Sequence, residues 1–189
     1  MILVLLSTLL LSNFADASVV PPSAFTWNAD VRFVNFNEEQ EEKVRKAIAI
    51  IKKVITSEEF RERVVNHTWN GKKTYVDNKG LSNQEIYDLI FKGAEIIGDT
   101  TANNTLNVEL ELYTSTTTTI GYTYPSTTRI WMNTKYFNKY TPVKVSDNLM
   151  HEWMHKLGFD HAMKWSEERD HTVPYAIGYI IEDLANKHL

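Results

Sequence analysis

Residues 151–161, HEWMHKLGFDH, constrain this chain more than any other stretch. They hold three of its six histidines. His151 and His155 stand four apart, so on a helix their side chains stack on one face. Two imidazoles so placed can share one metal ion. Glu152, beside the first of them, is within reach of a water on that ion. Gly158 suits the left-handed conformation that ends a helix. The turn it allows returns His161 toward the same ion as a third ligand. A chain of this composition shows the full H-E-x-x-H-x-x-G-x-x-H pattern by chance with a probability on the order of 10⁻⁵.

Neutral imidazoles suit zinc, and three protein ligands with an open fourth position define a catalytic site rather than a structural one. One zinc ion is therefore expected, held by His151, His155 and His161. Such an ion acidifies its water and polarises a substrate carbonyl. Glu152 is placed to take the water's proton and deliver it to the leaving amine. The reaction expected is hydrolysis of a peptide bond without a covalent intermediate. Glu182 is an alternative third ligand at a distance, but Gly158 and His161 argue against it. His171 and His188 have no spacing that implicates them, and Trp153, Met154 and Leu157 read as core.

Composition excludes some partners. A net charge of −4 and a pI near 5.9 give no basic stripe for nucleic acid. No polybasic segment binds a membrane surface. Residues 1–11, MILVLLSTLLL, are apolar but too short to span a bilayer. Ala15-Asp16-Ala17 follows as a cleavage signature, so residues 1–17 are read as a secretory signal peptide although no Lys or Arg precedes Arg32. The mature chain, 18–189, is expected to be one catalytic domain, secreted to the periplasm or the outside, and a monomer free of the membrane. With no cysteine, it has no disulfides to stabilise it there. Asn66 and Asn103 head glycosylation sequons.

In chain order, Trp27–Phe36 reads as a strand. Asn37 with Gln40 forms a capping box before a helix over 38–56. Ser57 caps a second helix to about Val65. Ser82 with Glu85 caps a third, which runs past Ile97 and stops at Gly98. Leu106–Tyr113 alternates apolar and polar residues, as a half-buried strand does. Ile120–Tyr124 and Arg129–Met132 are further strands joined by a turn at Pro125-Ser126. The threonine run 114–119 is a loop or an edge extension. Gly121–Tyr124 is the better candidate for an edge able to pair with an extended peptide. Ser146 is taken as the N-cap of the motif helix, which runs to Leu157. Residues 162–171 read as a polar linker, 171–175 as a turn, and 178–189 as a final helix.

The segment 151–161 resembles the zinc-binding consensus of the metzincin metalloproteases. The resemblance implies His151, His155 and His161 as zinc ligands and Glu152 as general base. It also implies an α+β fold: a small mixed sheet with helices, an active-site helix, and a short C-terminal subdomain ending in a helix. Substrate would run along an edge strand near Gly121–Tyr124. The family has a methionine-containing turn under the metal, with a tyrosine two residues later in several members. Tyr175 fits that tyrosine, as a metal contact or a donor to the oxyanion. Val173 then stands where methionine is expected, and Met163 is the only methionine after the motif. The reading is a secreted zinc endopeptidase. The alternatives are a catalytically silent zinc-stabilised binding module and a zinc amidase acting on a non-protein substrate.

Overall fold

The computed structural model describes residues 26–189; the proposed signal peptide, 1–17, lies outside them. The described chain is α+β, with seven helices and a four-stranded mixed sheet. The strands are β1 (Asn28–Val34), β2 (Thr105–Tyr113), β3 (Gly121–Thr123) and β4 (Arg129–Asn133). The helices are α1 (Glu38–Ile55), α2 (Glu58–Val65), α3 (Asn83–Lys92), α4 (Thr134–Phe137), α5 (Pro142–Lys156), α6 (Glu167–Asp170) and α7 (Val173–His188). Among the described residues, no helix is long and apolar enough to cross a membrane.

The sheet order is β1-β2-β4-β3. β1 and β4 pair parallel with β2, and β3 pairs antiparallel with β4, leaving β3 with a free edge. On β2 the residues Leu106, Val108, Leu110 and Leu112 are all buried, while their neighbours are half-exposed, as the alternation requires. Those four join Ile130, Met132 and the inner faces of α1, α5 and α7 in one core. Trp27 and Trp153 meet edge-to-face at its centre, with centroids 5.9 Å apart. Both expected capping boxes are present, Asn37 with Gln40 and Ser82 with Glu85.

Several boundaries differ from the sequence reading. α3 stops at Gly93 rather than Gly98. Gly93 takes φ +61°, and a Cβ there would lie 2.2 Å from the Thr105 carbonyl oxygen, so β2 approaches through the missing side chain. α5 begins earlier, capped by Thr141, whose Oγ1 accepts from Lys144 N at 3.2 Å, with Pro142 in its first turn. Ser146 is therefore no cap; it is buried in the helix, and its hydroxyl donates to Val143 O at 2.6 Å. The expected linker contains α6, capped by Ser166. The expected turn at 171–175 is the first turn of α7: Thr172 is its N-cap, and Pro174 presets φ for a helix start.

Candidate metal centre and cleft

The middle of α5 places His151 and His155 on one face, with ring centroids 5.3 Å apart. The helix then closes in a Schellman motif. Phe159 N donates to Met154 O (3.1 Å) and Gly158 N to His155 O (3.2 Å), with Gly158 at φ +95°. That reversal brings His161 back, and its Nε2 lies 3.1 Å from Nε2 of His151. One ring nitrogen from each of His151, His155 and His161 falls within 4.8 Å of the others, a group able to hold a metal ion. Two imidazole nitrogens on a tetrahedral ion, each bonded at about 2.05 Å, stand roughly 3.4 Å apart. The 3.1 Å between the His151 and His161 nitrogens is close to that demand.

The second nitrogen of each ring is used as a ligand set requires. His155 Nδ1 donates to Phe159 O at 2.7 Å and His161 Nδ1 to Ala162 O at 3.0 Å. A carbonyl only accepts, so these nitrogens carry the protons and each Nε2 keeps its lone pair. His151 is hydrogen-bonded to the backbone of Pro174. Burial holds His151 well below its ordinary pKa, and the neighbouring His155 and His161 add to the effect. Burial also lowers His155. Both are thus neutral, the form that binds metal.

Glu152 lies one residue on, buried at 4% exposure. Burial pushes its carboxyl up to about 8, and Lys156 opposes this. A dication held by the triad would favour the ionised form. The carboxylate faces β3: a Cβ at Gly121 would lie 2.9 Å from Oε1, and 3.1 Å from Oδ1 of Asn148. Lys156, also buried, donates to the carbonyls of Tyr124 (3.1 Å) and Thr127, tying the β3–β4 turn to the helix that carries the site.

Tyr175 comes from the first turn of α7. Its ring meets His151 edge-on at 4.4 Å and His161 at 4.7 Å between centroids. Val173 is fully buried beneath, an apolar residue on a helix rather than on a free-standing turn. The Arg169 guanidinium stacks over the outer side of Tyr175 at 4.4 Å. The N-cap Thr172 spends its hydroxyl on Arg169 O at 2.7 Å, which fastens α6 to α7.

His151, Glu152, His155, His161, Arg169 and Tyr175 line one cleft of about 690 Å³ together with Gly121–Thr123 of β3. Its lining includes the apolar Ile96, Pro125 and Phe159 and the polar Tyr140, Lys144 and Asp147. Glu182 is engaged elsewhere, accepting from Lys144 Nζ at 2.8 Å. Gly178 lets α7 press on α5, since a Cβ there would meet Asp147 Oδ1 at 2.3 Å.

Sequence reasoning named His151, Glu152, His155, His161 and Tyr175, and the structure brings all five together. It missed Arg169, hidden in an apparently featureless polar stretch, and Lys156, whose partners are about thirty residues away. It also missed the contact of His171 Nδ1 with His67 Nε2 at 3.2 Å, which only tertiary structure creates. Comparison of the chain with protein-family models, with curated proteins and with solved structures finds no match.

Proposed function

We propose that the protein is a secreted zinc-dependent endopeptidase of metzincin type, acting on a peptide laid extended along β3. One observation carries this reading. The three histidine nitrogens, a buried carboxylate with no hydrogen bond among the described residues and a strand edge that no described strand covers share one cleft. His151, His155 and His161 would hold the zinc, whose chemistry is Lewis acidity toward a carbonyl and toward water. The backbone of Gly121–Thr123 binds the substrate's main chain as an added strand. Glu152 takes the proton of the attacking water and returns it to the leaving amine. The absence of a side chain at Gly121 lets the substrate-bearing strand come close to that carboxylate. Tyr175, held between the histidine rings and Arg169, donates its hydroxyl proton to the developing oxyanion.

The test is digestion of a mixed peptide library, read by mass spectrometry, with zinc, with a chelator, and with Glu152→Gln. Cleavage should vanish with chelator and return with zinc. Glu152→Gln should keep the metal and lose roughly 10²–10⁴-fold in rate. Cleavage indifferent to chelator would overturn the reading. Zinc binding with no hydrolysis of any amide indicates the silent binding module, and turnover of non-peptide amides alone indicates the amidase.

A further inference from the structure

Among the described residues that line the cleft or brace its sheet, two cations are closely paired and a third is not. Arg129 is gripped by Glu109 and Glu111. Lys144, which also lines the cleft, is held by Asp147 at 2.6 Å and Glu182 at 2.8 Å. Arg169 lines the same cleft, and its side chain is only 16% exposed. Its Nε is buried with no hydrogen-bond partner. Its ion-pair partner, Asp170, stands 3.8 Å away, beyond hydrogen-bonding reach. That buried nitrogen is out of a ligand's reach, but the terminal nitrogens also make no hydrogen bond among the described residues and are the donors left for one.

The position is built rather than incidental. α6 is capped by Ser166, which accepts from Arg169 N at 3.1 Å, and Arg169 O takes both the amide and the hydroxyl of Thr172. The guanidinium carbon lies over the Tyr175 ring, 4.4 Å from its centroid, and that ring touches those of His151 and His161. A guanidinium held over a ring still has terminal N–H groups to donate, and these form a fork matched to a carboxylate.

We propose that Arg169 is the carboxylate receptor of the cleft, so that the preferred ligand carries an acidic group close to the metal centre. The inference rests on reading the cleft as a peptide-binding one. The carboxylate has two possible sources, an Asp or Glu side chain or the free C-terminus of a short peptide.

The test measures binding, not turnover, so failure of hydrolysis would sink the protease reading without deciding this one. Calorimetry on the full chain carrying Glu152→Gln compares three hexapeptides. One contains Glu and is C-terminally amidated; one has Gln in its place and is amidated; one has the same Gln and a free C-terminus. Each is titrated into zinc-loaded and into chelator-stripped protein, because a carboxylate landing on the ion itself would keep its advantage without Arg169. One of the two acidic peptides should bind about tenfold or more tightly than the amidated Gln peptide, and which one does identifies the source. The advantage should disappear in Arg169→Gln and Arg169→Ala and survive in part in Arg169→Lys. Equal affinity for all three peptides, no measurable binding of any, or an advantage that persists in Arg169→Gln overturns the proposal.

Discussion

Gly121 on β3 and Glu152 on α5 are in direct apposition: a methyl group added at the glycine would stand 2.9 Å from the Glu152 Oε1. The same group would lie 3.2 Å from the Trp131 carbonyl oxygen, so the backbone offers no room to retreat. Gly121→Ala should therefore displace the carboxylate and leave the histidines alone. The expected result is a fall in kcat of at least about tenfold with zinc content unchanged, since small misplacements of a catalytic group are expensive. Full activity in the alanine variant would show that the carboxylate position is not critical.

Metal binding should be visible as stability. A ligand that binds only the native state adds about 2.7 kcal/mol when present at a hundred times its Kd. Zinc added to chelator-stripped protein should raise Tm by several degrees. His161→Ala should abolish most of that rise, with little change in the metal-free Tm, because His161 lies at the surface end of the site. An equal zinc-induced rise in the variant would place the ion elsewhere.

Lys156 acts on the β3–β4 turn rather than on the histidine group. Its buried ammonium serves two carbonyls of the β3–β4 turn. Lys156→Met keeps the stem but leaves both carbonyls unserved, at a cost of roughly 2–3 kcal/mol, a drop of about 5–10 °C in Tm for a chain of this size. Because the turn anchors β3, KM for peptides should rise as well. A stable variant with unchanged KM would mean that the turn holds itself.

The pair His67–His171 predicts an acid limb in stability. His67 stacks on Tyr75 with centroids 4.1 Å apart. Burial first, then the charges of His171 and Arg63, hold its pKa down at about 4, against an ordinary 6.5. Between those values the unfolded chain binds a proton that the native one refuses. The contribution is thus complete above pH 6.5, shrinks as pH falls, and is gone below about 4. His67 is partly open to solvent, so screening limits the effect to about 1 kcal/mol. Denaturant midpoints at pH 7 and 4.5 should differ less in metal-free His67→Phe than in metal-free wild type. An identical difference would assign the acid limb to other groups.

Local patterns in the chain announce what is local in the fold. Asn37 with Gln40, and Ser82 with Glu85, mark their helix starts because a cap is satisfied within four residues. The alternation from Leu106 to Leu112 marks β2 because one face of it is buried. The histidine triad is equally legible, since helical spacing and one left-handed glycine suffice to assemble it. Where a nearby and a remote cause compete, the pattern misleads. Ser146 has the chemistry of a cap, yet Thr141 followed by Pro142 starts the helix a turn sooner. Pro174 reads as a turn but sits where proline favours a helix, in the first turn of α7. Apolar residues up to Ile97 continue the pattern of α3, but the approach of Thr105 at Gly93 ends it. Arg169 and Lys156 have no local signature at all, because their roles depend on where Tyr175, Tyr124 and Thr127 arrive.

The brevity of β3 bears on the protein's behaviour in company. An unpaired strand edge invites copies of the same chain to add themselves, and long flat edges seed aggregates. At the β3 end of the sheet the edge is three residues long, entered from a threonine-rich loop and left through Pro125, which has no amide hydrogen to donate. It offers a short stretch of main chain to a guest in the cleft. That end of the sheet offers too little to start a cross-molecular sheet, so a second copy of the chain is a poor competitor for the cleft.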